Sequence, residues 1–252
     1  MLLSLVLTLL AVSAYATPVI NLGTAANFGL LGGSAVTNTG SSVIYGDVGS
    51  YPTGSVTGFE ESISAGPGKV HGHTHTDANA VVGQAKSDLT AAYNTAAGAT
   101  GAIDLTGQDL GGMTLDPGVY FFSSSALLTG NLKLDGGGGP NAQWIFQIGS
   151  TLTTATDSNV ELIKGAKKDK VFWQVVSSAT IGTNSVFVGN IMALESITLN
   201  GGVLHGKALA RNGAVTISVA ETVNAVPEPS SIMALGMMLI PAAALFRRKK
   251  LG

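Results

Sequence analysis

A short phrase of an apolar residue, a threonine and then an apolar or small residue recurs between residues 123 and 218. Its threonines are Thr129, Thr153, Thr180, Thr198 and Thr216. Successive side chains of a strand point to opposite faces, so a threonine between apolar neighbours points outward while they enter the core. The longer spacings contain polar or Gly-rich insertions, and removing these leaves a repeat of under about twenty residues. The pattern predicts stacked coils of β-strand with the threonines in one column.

The positions two residues either side of each threonine extend this column into a surface without charged residues. An ordinary solvated sheet face carries Lys and Glu, so the surface is a candidate binding face. The candidate binding residues are Thr129, Asn131, Thr151, Thr153, Ser178, Thr180, Ser196, Thr198, Asn200, Thr216 and Ser218, with Leu127, Ala155, Gly182 and Ala214 between them.

One long amphipathic helix is predicted over residues 76–97, with Thr76 or Asp77 as its N-cap and Gly98 as its stop signal. The expected apolar stripe is Val81, Ala85, Leu89, Ala92 and Ala96. The segments 144–148 and 171–175 are apolar at successive positions, which is typical of strands covered on both faces. We therefore expect these two strands to lie under the helix.

Composition narrows the class of protein. Only 11% of the 252 residues are charged, Gly is abundant and Cys is absent, which favours many short strands and excludes disulfides and thiol chemistry. Four of the thirteen Lys and Arg residues lie in 247–250, so residues 17–229 hold nine basic and fifteen acidic residues, a net charge of about −6. An acidic domain without a basic patch is a poor nucleic-acid binder.

Both ends of the chain resemble targeting segments. Residues 1–16 form an apolar run ending in Ala14-Tyr15-Ala16, which predicts a signal peptide cleaved before Thr17, with an uncleaved anchor as the alternative. Residues 226–252 contain Pro227-Glu228-Pro229, a short apolar span over 230–246 and a basic end. This tail resembles the PEP-CTERM sorting signal of Gram-negative bacteria; a plain C-terminal membrane anchor is the alternative. Export through the inner membrane to the cell surface, the outer membrane or the medium is expected.

Other chemistry is weakly supported. His71, His73 and His75 alternate and could share one side of an extended segment as metal ligands, but they precede the helix in a loop, where solvated histidines are common. Acidic residues are scattered, no G-x-S-x-G elbow occurs, and Gly136 to Gly139 lacks the Lys of a phosphate loop. We expect neither an enzyme, nor a cofactor, nor a physiological metal site.

Several longer motifs resemble the microbial ice-binding (antifreeze) proteins. They are Asn21-Leu22-Gly23-Thr24-Ala25-Ala26-Asn27-Phe28, the helix segment 85–93, Leu115-Asp116-Pro117-Gly118-Val119-Tyr120, the segment 144–150 and the segment 206–216. The resemblance covers nearly all of residues 17–225. It implies a right-handed, discontinuous β-helix (β-solenoid) of roughly triangular section with the long helix packed alongside.

The same resemblance implies that a flat Thr/Ser-rich face adsorbs to ice and inhibits its growth or recrystallisation. We expect the protein to be a monomer. The alternative is a non-catalytic surface or biofilm-matrix protein that binds exopolysaccharide. A sorting protease is a further expected partner if the tail is processed.

Overall fold

A computed structural model describes residues 17–226 of the chain. The predicted signal peptide and residues 227–252 of the predicted tail lie outside the described residues. No helix between residues 17 and 226 has the length and apolar character that a membrane span requires. The apolar span predicted over 230–246 is not part of that range.

The described residues form a mainly β structure with parallel strands and one α-helix, α1 (Ala80–Ala97). The strands are β1 (Phe28–Gly32), β2 (Val36–Asn38), β3 (Val43–Tyr45), β4 (Asp47–Ser50), β5 (Val56–Phe59), β6 (Ser64–His71), β7 (Thr74–His75), β8 (Ile103–Asp104), β9 (Thr114–Leu115), β10 (Gly118–Phe122), β11 (Ala126–Leu128), β12 (Asn131–Asp135), β13 (Trp144–Ile148), β14 (Leu152–Thr154), β15 (Asn159–Ile163), β16 (Val171–Val175), β17 (Ala179–Ile181), β18 (Ser185–Ala193), β19 (Ile197–Leu199), β20 (Gly202–Ala210), β21 (Val215–Ile217) and β22 (Glu221–Asn224). Short 3-10 helices cover Gly23–Asn27 and Lys168–Lys170.

Strand pairing arranges these elements in three stacks. The Thr sheet is β11, β14, β17, β19, β21, β2 and β5, in that spatial order. The helix-side sheet is β8, β10, β13, β16, the second halves of β18 and β20, β1, β4 and β7. The third sheet is β9, β12, β15, the first halves of β18 and β20, β22, β3 and β6. All of these pairs are parallel. Each complete coil contributes one strand to each stack, whereas β7 and the coil of β8 and β9 have no strand in the Thr sheet.

The spatial order of the coils differs from their order in the chain. The N-terminal strands β1 to β3 pair with the C-terminal strands β20 to β22, so the beginning of the domain stacks against its end. Helix α1 follows β7 at one end of the stack and leads to β8 at the other end. The helix therefore connects the two ends of the stack.

Helix α1 covers the helix-side sheet, as predicted from the apolar strands β13 and β16. Its buried residues are Val82, Ala85, Leu89, Ala92, Tyr93 and Ala96, and they pack against a layer that includes Ile145, Phe172 and Met192. Gln147 fixes the C-terminal end of the helix, since its Nε2 donates to the carbonyls of Ala96, Ala97 and Ala99 at 2.9–3.1 Å. Gly98 is the C-cap, as expected.

The predicted start of the helix is wrong. Helix α1 begins at Ala80, and its N-cap is Asn79, whose Oδ1 accepts hydrogen bonds from the backbone N–H groups of Val81 and Val82 at 3.1 Å. Asp77 instead accepts a hydrogen bond from the Asn79 side chain at 2.8 Å. Val81, which was expected in the buried stripe, is half exposed. Val82 occupies that place instead, three residues before Ala85.

Aromatic side chains fill the space enclosed by the three sheets. Trp173 stacks on Phe146 with ring centroids 3.9 Å apart, and Tyr120 stacks on the other side of Phe146 at 5.4 Å. The Trp173 indole donates to the Val188 carbonyl at 2.9 Å, so this buried donor is satisfied. Gly189 turns β18 between two sheets at a φ of 114°, where an added Cβ would lie 2.8 Å from Trp173 Nε1. Close packing of the coil thus requires Gly at this corner.

Candidate functional site

Six threonines on adjacent strands of the Thr sheet stand in register. In spatial order they are Thr153, Thr180, Thr198, Thr216, Thr37 and Thr57, each paired directly with the next. We call this set the Thr column. Parallel neighbours are about 4.7–4.9 Å apart, so the column runs for about 24 Å.

The strand sequence points each of these threonines outward. Thr198, for example, lies between Ile197 and Leu199, which are fully buried in the core, and the same alternation surrounds Thr180 and Thr216. Burial of the two apolar neighbours fixes the orientation of the strand, because a shift of one residue would place both of them in water. The column is therefore set by the core beneath it.

A second column flanks the first on the N-terminal side of the strands. It consists of Thr151, Ser178, Ser196, Ala214, Ala35 and Ser55, two residues before each threonine of the Thr column, and of Ser125, two residues before Leu127, which pairs with Thr153. Neighbouring members are hydrogen-bonded: Thr151 Oγ1 donates to Ser125 Oγ at 2.8 Å, and Ser178 Oγ accepts from the backbone N–H of Ser196 at 3.2 Å. These bonds hold the hydroxyl groups in place.

A third column lies on the C-terminal side and consists of Thr129, Ala155, Gly182, Asn200, Ser218 and Thr39. Thr39 Oγ1 donates to the Ser218 carbonyl at 2.9 Å. The three columns contain only Thr, Ser, Ala, Gly, Asn and Leu127 and carry no charged side chain. The expectation of an uncharged face thus agrees with the arrangement of the described residues.

The predicted position of Thr129 in the central column is wrong. Leu127, not Thr129, pairs with Thr153, because β11 ends at Leu128 and Thr129 already lies in the turn before Gly130. Leu127 is 45% exposed and continues the column with an apolar residue. Thr129 lies two residues further along the chain, in the third column beside Ala155. There its backbone N–H donates to Asp109 Oδ1 at 2.9 Å.

Asn131 does not belong to this face. It is the first residue of β12 in the third sheet and pairs with Asn159. The turn at Gly130, which has a φ of 90°, separates it from the Thr sheet. The other candidate residues, Thr151, Thr153, Ser178, Thr180, Ser196, Thr198, Asn200, Thr216 and Ser218, lie on the strands or strand ends of the Thr sheet.

Two members of the column were missed by the sequence analysis. Thr37 and Thr57 occur in the same phrase, as Val36-Thr37 and Val56-Thr57, but both precede the helix. The valines are fully buried, as the neighbours of the other threonines are. The phrase could have identified them. The place of Thr37 next to Thr216, with Thr57 beyond it, depends on the pairing of N-terminal with C-terminal strands.

Buried hydrogen bonds stiffen the edge of the face at Thr37 and Thr57. Asn38 donates from Nδ2 to the carbonyls of Gly40 and Gly58 at 2.7 and 2.8 Å, and its Oδ1 accepts from the Ser42 hydroxyl at 2.7 Å. Asn38 and Ser42 are both buried. A satisfied polar network in the interior fixes the corner between the Thr sheet and the third sheet.

The three alternating histidines do not form a common site. His71 stacks on Tyr45 at 4.8 Å, whereas His73 Nδ1 and His75 Nε2 lie 3.5 and 3.6 Å from the Asp47 carboxylate. Asn79 uses its Oδ1 to cap α1, so its Nδ2 faces His75 Nδ1 at 3.2 Å, and that nitrogen must accept. The ring proton of neutral His75 then lies on Nε2, which opposes metal binding at this nitrogen.

Within residues 17–226, no group of three or more His, Cys, Asp or Glu side chains is placed to hold a metal ion. The hydrogen-bonded pair His75–Asn79 is instead a structural link. It connects Asp47, at the start of β4, to the N-terminal end of α1.

Comparison with known proteins adds to this geometry. A family model described as "Ice-binding-like" matches residues 30–224. The chain belongs to the ice-binding-like family. The matched range includes all seven strands of the Thr sheet, from β2 to β21, so the family match spans the whole candidate site.

Individual members of the ice-binding-like family are similar over most of their length. The chain is 47% identical to an ice-binding protein of Nostoc sp. (strain HG1) over 98% of this chain and 95% of that protein. A crystal structure of an ice-binding protein from an Antarctic biological consortium is 44% identical, with a TM-score of 0.75 over 81% of this chain and 89% of that one. The crystal structure of an ice-binding protein from the Antarctic ascomycete Antarctomyces psychrotrophicus is 37% identical, with a TM-score of 0.74 over 81% of this chain and 98% of that one.

Proposed function

We propose that this chain binds ice through the Thr column and its two flanking columns, and thereby inhibits ice growth or recrystallisation. The observation that carries the proposal is the register of six outward threonines on adjacent strands. The relatives described as ice-binding proteins support it. The proposal includes no catalytic step.

We also infer that the three stacks form a right-handed β-helix of roughly triangular section. Parallel strands joined by short crossovers are almost always connected with right-handed geometry, and three parallel stacks around one core require three sides. The break in coil order between β22 and β3 makes this helix discontinuous. Such a coil gives the Thr sheet a flat side and a rigid backing.

The physical basis is a rigid grid of methyl and hydroxyl groups. Grid points repeat about every 4.7–4.9 Å between strands and about every 6.6–6.8 Å along a strand. Hydroxyls donate and accept hydrogen bonds with a surface layer of water, while the methyl groups weaken ordinary hydration. Because the grid is already ordered by buried neighbours, adsorption costs little conformational entropy.

Ice-crystal shape tests the proposal directly. A solution of the 17–226 domain is cooled just below its melting point and a single crystal is watched. Faceting of the crystal and a gap between melting and growth temperatures are expected. A rounded crystal that grows as it does in buffer would contradict ice binding.

A second candidate function is binding of exopolysaccharide at the cell surface. One observation favours it: a groove of about 360 Å³ on the third sheet, where Glu161, Lys168 and His205 stand beside Val186 and Val188. Charged side chains can hydrogen-bond to the hydroxyl groups of a sugar, and the valines can pack against its C–H groups. Binding of glycans by the domain, together with unaltered ice crystals, would favour this function over the first.

We further propose that the chain is exported, that residues 1–16 are a signal peptide, and that residues 226–252 act as a PEP-CTERM-like sorting segment at the cell surface or outer membrane. The acidic, cysteine-free composition and the order of Pro-Glu-Pro, apolar run and basic end support this. We expect a monomer, with a sorting protease as partner if the tail is cleaved.

A further inference from the structure

Two asparagines of the chain are followed by glycine, Asn200 before Gly201 and Asn212 before Gly213. In such a pair the backbone nitrogen of the glycine can attack the side-chain carbonyl of the asparagine, because glycine has no side chain to obstruct the approach. The amide nitrogen leaves as ammonia, and water then opens the cyclic imide to aspartate or isoaspartate. Deamidation thus replaces a neutral amide by a carboxylate.

Asn200 lies where a new charge alters the candidate ice-binding face. It follows β19 in the third column, and its neighbours there are Gly182 and Ser218. No side chain of the three columns is charged. Hydroxyl groups both donate and accept hydrogen bonds, whereas a carboxylate only accepts them and orients the surrounding water accordingly. A carboxylate at position 200 therefore disturbs the water layer that the neutral grid holds.

The side chain of Asn200 is free to react. Its backbone N–H donates to the Ile181 carbonyl at 3.1 Å, but its side-chain amide has no hydrogen-bond partner within residues 17–226. Asn200 is also partly exposed, so that water reaches it. The side chain of Asn212, by contrast, is held in place, because its Nδ2 donates to Glu195 Oε1 at 3.2 Å.

A carboxyl group faces the nitrogen that would attack Asn200. The Gly201 N–H donates a hydrogen bond to Glu221, which begins β22 at the corner between the Thr sheet and the third sheet. A carboxylate so placed can take the proton that this nitrogen loses when it bonds to Asn200 Cγ. The proton then passes to the departing amide, which leaves as ammonia. The only other reactant is the water that opens the ring.

We propose that Asn200 is a deamidation site, assisted by Glu221, and that its conversion to aspartate or isoaspartate weakens ice binding. The inference rests on the proposed ice binding and adds a covalent modification that limits how long the face stays active. Asn212 lies outside the three columns and its side chain is bound to Glu195. It therefore reacts more slowly, and its reaction leaves the face unchanged.

Mass spectrometry of tryptic peptides follows the two sites separately. Cleavage after Lys170, Lys207 and Arg211 places Asn200 and Asn212 on different peptides, and fragmentation locates the modified residue. The full chain is incubated at pH 8, where Glu221 is ionised because burial raises its pKa only to about 7. Samples are taken over time for peptide mass and for thermal hysteresis.

We expect the mass gain at Asn200 to be at least fivefold faster than at Asn212 in the folded chain, and the two rates to be similar in urea. Thermal hysteresis of the folded wild type should fall as Asn200 reacts. The variant Asn200→Gln closes the ring far more slowly and should keep its hysteresis throughout. Asn200→Asp should have at least fivefold lower hysteresis from the start, whereas Asn212→Asp should match the wild type.

The assisting residue is tested by Glu221→Gln, which should slow the mass gain at Asn200 at least threefold and leave that at Asn212 unchanged. Equal rates at Asn200 in this variant and the wild type would refute assistance by Glu221. A gain at Asn200 no faster than at Asn212, or full hysteresis in a folded Asn200→Asp variant, would overturn the proposal. If freshly prepared wild type shows no hysteresis, ice binding itself fails, while the peptide masses still show whether Asn200 deamidates.

Discussion

Glu221 should make the domain less stable as the pH rises through the weakly acidic range. This residue begins β22, is 3% exposed, and has an Oε2 without a hydrogen-bond partner among the described residues. Burial raises the pKa of its carboxyl from 4.5 to about 7, and a backbone hydrogen bond from Gly201 opposes this shift. Burial thus favours the neutral acid in the folded state.

The direction and size of the effect follow from linkage. Well below pH 4.5 the carboxyl is protonated in both states, so its ionisation does not change the free energy of unfolding. Between pH 4.5 and 7 the unfolded chain loses the proton while the folded chain retains it, so the free energy of unfolding falls as the pH rises. A pKa difference of this size corresponds to about 3 kcal/mol once the pH exceeds 7.

The variant Glu221→Gln removes this titration while keeping the size of the side chain. In urea denaturation, the free energy of unfolding of the variant relative to that of the wild type should increase by up to about 3 kcal/mol from pH 5 to pH 8. Glu61→Gln, at an exposed loop position, is the matched control and should follow the wild type. If Glu221→Gln keeps the same difference from the wild type at both pH values, the assignment of a buried acid at the start of β22 is refuted.

Three further variants test other parts of the structure. Leu127→Thr adds a seventh threonine to the column and should raise thermal hysteresis above that of the wild type; unchanged or lower hysteresis would argue against the register. Thr57→Tyr should lower hysteresis, because Thr57 is the last threonine of the column at the N-terminal end, and full activity would restrict the site to the C-terminal strands. Asn79→Ala should cost about 1 kcal/mol in urea denaturation, since the helix loses its N-cap; no loss would refute the cap.

The Thr face could be predicted from the sequence because one core position on each side of a threonine fixes its direction. Alternation, however, identifies a face and not a register. Leu127 and Thr129 are two residues apart and therefore point to the same face. Only the pairing of Leu127 with Thr153 shows which of them continues the Thr column. The wrong prediction for Asn131 has the same cause. Alternation places it on the same face as Leu127, but it lies beyond the corner at Gly130, in the third sheet.

The order of the coils could not be predicted from local patterns. Thr37 and Thr57 share the phrase of the other threonines. Thr37, however, reaches its position next to Thr216 through contacts between residues about 180 positions apart, and Thr57 pairs with Thr37. The helix was predicted from its stripe and its Gly stop. Its start was misplaced because Thr76, Asp77 and Asn79 are all suitable caps, and contacts with His75 and the sheet select Asn79.

The most direct test of the account compares thermal hysteresis in three forms of the domain. Thr180→Tyr with Thr198→Tyr places two large rings in the centre of the Thr column, whereas Thr222→Tyr places one on the outward side of the third sheet, between Val203 and Val43. We predict hysteresis for the wild type and for Thr222→Tyr, and its loss in the double variant, with all three equally folded by circular dichroism. Full hysteresis in the double variant, or loss in Thr222→Tyr alone, would contradict ice binding by the Thr sheet.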